Sequence, residues 1–156
     1  MARKTKGFNA FLFYRLPAAW WCGVRLTELG KDHATASVRH RWVNQNPFKS
    51  MFWAVQGMAA ELATGALVMQ EIQQSGRQVS MLVLNNKAHF QKKATGRITF
   101  RCEDGPALRT VMQKVLQSGE GHTVWMRSVG RNAGGEVVSE FYFEWTLKAR
   151  DRPAGD

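Results

Sequence analysis

Apolar and polar residues alternate along 23–29 (Gly-Val-Arg-Leu-Thr-Glu-Leu) and again along 34–42, which ends at Trp42. A period of two marks strands with one buried face. Gly30, Lys31 and Asp32 lie between the two runs as turn residues, so the pair reads as a hairpin. Asn44 to Phe48 is a loop braked by Pro47. The period then changes: Phe52, Val55, Ala59, Leu62, Ala66 and Met69 recur at three or four. That spacing predicts a helix from about Ser50 to Gln74, capped by Ser50 and ended by Gly76.

Alternation returns afterwards. Val79, Met81 and Val83 lead into a strand over 85–90, and Ile98, Phe100 and Cys102 form another. Residues 122–131 follow, and then the clearest strand, with Val137, Ser139, Phe141, Phe143, Trp145 and Leu147 on one face. Asn132 to Gly135 is the turn between those last two. Pro106 to Leu116 reads as a short crossing helix. At the front, Phe8, Phe11, Leu12 and Arg15 suit an amphipathic lead-in helix over 1–15; residues 151–156 read as a loose tail.

Strands grouped around one dominant helix imply an α+β domain rather than a wound parallel sheet. A chain of 156 residues is a single-domain length, so one domain spans 1–156. Six Trp, nine Phe and 22% charged residues exclude a disordered chain. The net charge of +10 can attract polyanions, phosphorylated ligands or anionic lipid surfaces. Its cations are scattered along the chain instead of gathered on one helix, which argues against a nucleic-acid module. Cys22 and Cys102 are far apart, suit neither zinc nor a disulfide framework, and fit a reducing cytoplasm. The basic start followed by Phe8–Tyr14 resembles a short signal peptide, but Arg15 and Pro17 interrupt it.

The long helix carries the chemistry. Residues 51–69 contain a single charged residue, Glu61. A helix apolar nearly all round is buried by protein or by lipid. Gln56, Glu61 and Thr64 near its middle argue for protein, because an acid at a bilayer centre costs roughly 2.5–3.5 kcal/mol. Gly57, Glu61, Thr64, Gly65 and Val68 share one face, where backbone or ligand can approach closely. Burial without a partner would raise the Glu61 pKa and suit it to act as a base. Pairing with an arginine would instead make it purely structural.

The run from Asn46 to Leu62 (Asn-Pro-Phe-Lys-Ser-Met-Phe-Trp-Ala-Val-Gln-Gly-Met-Ala-Ala-Glu-Leu), with Leu16–Gly23 and the Arg41-Trp42 pair, resembles hotdog-fold thioesterases. The likeness extends from about residue 16 to 148. It implies a long central helix wrapped by a five- to six-stranded antiparallel sheet. In the phenylacetate-degradation type, an asparagine lies six residues before a His-Gly-Gly motif, and a helix acid follows that asparagine by fifteen. Asn46 and Glu61 keep that spacing, while Phe52, Trp53 and Ala54 replace the His-Gly-Gly.

The resemblance implies Glu61 as base or nucleophile and Asn46 as the group orienting water or thioester, supplied by different subunits of a homodimer that can pair into a tetramer. The amides of Trp53 and Ala54 would polarise the carbonyl, as free N–H groups at a helix start can. Phe52, Gln56 and Gly57 would meet the acyl ligand. Lys92 and Lys93 would meet coenzyme A phosphates, or form no more than a charged solvent turn. The substrate would be an acyl-CoA or acyl-carrier thioester, with no separate cofactor, metal, nucleic acid or membrane span. Because the bulky Phe52 and Trp53 stand where the motif has its His and first Gly, a non-catalytic acyl- or lipid-binding protein is the alternative. The four histidines lack the spacing of a hydrolase triad.

Overall fold

A computed structural model describes residues 2–150, the side chains of 2–4 excepted, so the tail expected at 151–156 lies outside the described residues. Helix α1 (Ala2–Arg15) and the five-residue α2 (Pro17–Trp21) precede the hairpin β1 (Arg25–Leu29) and β2 (Ala34–Arg39). A 3-10 turn at Trp42–Asn44 leads to the long helix α3 (Trp53–Ser75). Then come β3 (Val79–Phe90), β4 (Arg97–Cys102), α4 (Gly105–Ser118), β5 (His122–Arg131) and β6 (Val137–Ala149). All six strands pair antiparallel in one sheet, ordered β1-β2-β4-β5-β6-β3. The sheet wraps α3, which is the hotdog arrangement.

Small residues let the helix sit close to the sheet. Ala59, Ala60, Ala63 and Ala66 are wholly buried against a layer that includes Ile98, Phe100, Met126 and Leu147. Each large side chain buried this way contributes about 1.5–3 kcal/mol. Gly57 and Gly65 serve the same closeness: an added Cβ would stand 3.4 Å from the Phe141 ring at Gly57 and 3.4 Å from Trp145 at Gly65. Among the described residues no helix is long and apolar enough to cross a membrane.

Three local expectations change. Pro17, read as an interruption, opens α2 at its first helical position, where a missing N–H costs nothing. The second strand stops at Arg39 and not at Trp42, because the Asn44 side chain takes over the chain's hydrogen bonding. Its Oδ1 accepts the Arg41 N–H at 2.8 Å, and its Nδ2 donates to the Cys22 and Arg39 carbonyls at 2.9 Å. Ser50 does not cap α3. The helix begins at Trp53, with Phe52 in the cap position and no side-chain bond there. Gly76 does end the helix, at φ 64°.

The two sheet edges differ. On β1, Asn9 of α1 accepts the Leu26 N–H and donates to the Leu26 carbonyl, both at 2.9 Å, so α1 closes that edge. On the other side β3 runs twelve residues with exposed Leu82, Leu84 and Phe90.

Candidate functional site

The turn before α3 is organised by Asn46. Its Oδ1 accepts the N–H groups of Phe48 (2.9 Å) and Ser50 (3.2 Å), and its Nδ2 donates to Ser50 Oγ (3.0 Å) and the Met51 carbonyl (3.4 Å). An asparagine doing this holds a tight turn the way a backbone group would. Lys49 completes the turn at φ 58°. Met51 N–H then donates to Ala94 and Phe52 N–H to Asn44, which pins the chain against the β3–β4 turn.

The helix start is left open as a result. Val55 and Gln56 N–H groups both return to the Phe52 carbonyl. The Trp53 and Ala54 N–H groups have no acceptor among the described residues. Two free amides at the positive end of a 23-residue helix attract negative charge. The rings of Phe52 and Trp53 stand beside them, edge to face at 6.0 Å and both exposed.

Glu61 lies two helical turns further along. Among the described residues its carboxylate has neither a hydrogen bond nor an ion pair, and burial pushes its pKa up from the ordinary carboxylate range. It borders a cavity of about 250 Å³ whose other walls are Arg15, Leu16, Pro17, Ala18, Ala19, Met58 and Leu62. Beneath it, Trp145 Nε1 donates to Thr64 Oγ1 at 3.0 Å, and that hydroxyl donates to the Glu61 carbonyl at 2.9 Å. An acid whose pKa is raised by burial, in a mostly apolar crevice, is suited to take up a proton.

The sequence-derived residues thus fall into two groups within one chain. Asn46, Phe52, Trp53 and Ala54 share the α3 junction; Glu61 faces the α2 crevice. Gln56 is buried and already satisfied: its Oε1 accepts Ser139 Oγ at 2.8 Å and its Nε2 donates to the Met51 carbonyl at 3.4 Å. Gly57 lies against Phe141. Lys92 forms an ion pair with Glu136, and Lys93 Nζ donates to the Phe48 carbonyl at 3.4 Å, beside the junction. Ser118 Oγ and His122 Nε2 meet at 3.0 Å, but the serine is tied to the Lys114 carbonyl and the pair is exposed.

Sequence reasoning missed Asn44, Ser139 and the α2 wall of the crevice. Thr64 and Trp145 were visible as residues of the right faces, but their mutual bond was not. A larger cavity of about 740 Å³ lies between α1, β1 and the far half of α3, lined by Phe8, Phe11, Met69 and glutamines. Among the described residues no ionisable side chain lines it.

No curated protein is detectably similar in sequence. Solved structures do share the fold. A Pseudomonas aeruginosa protein of unknown function, described as a probable thioesterase, is 20% identical with TM-score 0.77, over 93% of this chain and 96% of that one. A Chlorobaculum tepidum protein of unknown function is 15% identical with TM-score 0.82, over 96% of both chains. A Haemophilus influenzae thioesterase is 12% identical with TM-score 0.71, over 97% of this chain and 94% of that one. The model of a family described as a domain of unknown function (DUF4442) matches residues 4–147. With its six strands folded around α3 in the hotdog arrangement, this chain belongs to the DUF4442 family.

Proposed function

We propose that the protein hydrolyses acyl thioesters, carried by coenzyme A or an acyl-carrier protein, as a cytoplasmic homodimer. The observation that carries this reading is the unpartnered Glu61 carboxylate, its pKa raised by burial, at the wall of an apolar cavity. Glu61 takes a proton from water, and the resulting hydroxide attacks the thioester carbon. The carbonyl oxygen, now negative, is held by the Trp53 and Ala54 amides. Collapse of the intermediate breaks the C–S bond, and the thiolate receives the proton from Glu61. Asn46 orients the water or the thioester by giving up its long bond to the Met51 carbonyl.

One chain alone does not complete this site. Eight residues separate Trp53 from Glu61, and at about 1.5 Å per residue that is roughly 12 Å along the helix. The acid of one subunit would therefore work with the junction of the other. The long β3 edge, with Leu82 and Leu84 exposed, is suited to pair with a second copy. Lys92 and Lys93 would meet the carrier's phosphates, Lys92 exchanging Glu136 for phosphate. Phe52 and Gly57 would border the acyl chain, and Gln56 would act through Ser139 by holding β6 in place.

The exposed rings of Phe52 and Trp53 favour a second reading, an acyl-binding protein without turnover, in which those rings cover the free amides. A panel of acyl-CoA substrates assayed with a thiol reagent separates the two. Turnover that falls about 10²–10⁴-fold in Glu61→Gln supports the hydrolase. Saturable binding with no turnover in the unaltered protein supports the binder.

A further inference from the structure

One surface of the molecule is both aromatic and cationic, and nothing in the proposed hydrolysis uses it. Trp21 is 70% exposed, Trp42 85% and Tyr14 78%. Contacts between their chain neighbours bring the three into one region of the molecule. Tyr14 packs on Phe13 at 5.0 Å, Phe13 on Trp20 at 5.4 Å, and the Arg25 guanidinium lies 3.4 Å from the Trp20 ring centre. The Arg41 guanidinium covers Gly23, and Asn44 fastens the Trp42 turn to the Cys22 carbonyl.

The charges on this face are uncompensated. Among the described residues Arg15, Arg25 and Arg41 form no ion pair; the six pairs present all lie elsewhere. Arg25 has its pKa lowered by burial and then by the nearby positive charge of Arg41. A second copy of the chain docking here would bring the same unneutralised arginines into the shared interface. An anionic lipid surface would supply the missing charge, and Trp and Tyr rings are favoured at the level of lipid headgroups.

We propose that the face carrying Tyr14, Trp21, Arg25, Arg41 and Trp42 docks on an anionic lipid bilayer. The rings enter the headgroup layer and Arg41 meets lipid phosphates, while Arg25, held on the Trp20 and Val24 carbonyls, adds only its positive charge, without any segment spanning the membrane. The same α1–α2 corner supplies Arg15 to Ala19 of the crevice beside Glu61. The docking does not depend on the hydrolase reading.

Vesicle co-sedimentation tests it, using phosphatidylcholine vesicles with or without phosphatidylglycerol. The full chain should sediment with the mixed vesicles and not with pure phosphatidylcholine. The double variant Trp21→Ser/Trp42→Ser should lose at least about tenfold in affinity. The double variant Trp21→Phe/Trp42→Phe should retain most binding, which guards against a folding defect. Glu61→Gln should bind like the unaltered protein, so a failure of hydrolysis does not count against docking.

Equal binding by the serine double variant would overturn the proposal, because bulk positive charge alone would then explain retention. So would absence of binding to both vesicle types. Tighter retention by DNA than by mixed vesicles would overturn it too, as would a serine variant that changes only the oligomeric mass in light scattering.

Discussion

Glu28 and Glu61 are acids in opposite surroundings, the first partly exposed on the sheet and the second more deeply buried. Glu28, on β1, receives His33 Nε2 at 2.8 Å, Arg101 at 2.9 Å and Thr35 Oγ1 at 3.2 Å. The His33 hydrogen bond, aided by Arg101 and Thr35, holds its pKa below the usual carboxylate value. Glu61 has no such partner, and burial alone drives it the other way. On the outer face of the sheet the acid ties β1, β2 and β4 together. In the α3 crevice the acid is left unmatched, which costs stability and makes the group available for proton transfer.

The largest test of this contrast is Glu61→Gln. Hydrolysis should fall by about 10²–10⁴ while the folded protein becomes more stable at neutral pH, the opposite of an ordinary core lesion. Thermal denaturation beside the thiol assay checks both. A lower melting temperature in the variant would mean that the carboxylate has a stabilising partner.

Next in size is Gly65→Val. An added Cβ would already be in van der Waals contact with Trp145 at 3.4 Å and 3.8 Å from the Glu61 carboxylate, so the two further methyls of valine should crowd this spot. Overpacking of this kind costs about 1–3 kcal/mol. Denaturant unfolding measures it; no change would mean that α3 and β6 are less closely packed than described. Trp145→Phe removes the donor to Thr64 together with part of a buried indole, and should cost at least about 0.5–1.5 kcal/mol by the same measurement.

The pH dependence separates the two acids by sign. The folded-state pKa of Glu61 is raised, so its contribution is most favourable below the unfolded value and is lost as pH rises through the folded one. The unaltered protein should therefore lose stability relative to Glu61→Gln as pH climbs from acid toward neutral. The folded-state pKa of Glu28 is lowered, so its contribution is present above the unfolded value and is lost as pH falls through the folded one. The smallest effect is accordingly Glu28→Gln: a loss within about 1 kcal/mol at neutral pH, since the pair is partly exposed, that vanishes in acid. Melting curves at several pH values would show the two differences running in opposite directions.

Much of the architecture could be read from periodicity. The change from period two to period three or four placed α3 between hairpin and later strands, and Gly76 marked its end. The sequence-based cap at Ser50 failed because a nearer partner competed: Asn46 engages the serine within the turn. The boundary at Arg39 and the helix α2 were missed for a related reason. Asn44 satisfies backbone groups 22 residues away at Cys22, and Pro17 looks the same in a chain whether it stops one helix or starts another. Of the site, the acid and the asparagine were visible as residue types at a spacing, and their surroundings were not.

By itself the sequence determined the single acid in an oily helix, the alternating strands around it and the excess of positive charge. These depend on local order and on side-chain chemistry, which any reader of the chain can follow. Only the tertiary structure decided that, among the described residues, Glu61 stays without a partner, Gln56 is spent on Ser139, and two helix-start amides remain open. Hydrogen-bond satisfaction is settled by which groups meet in space, and groups that meet here are as far apart in the chain as Gln56 and Ser139.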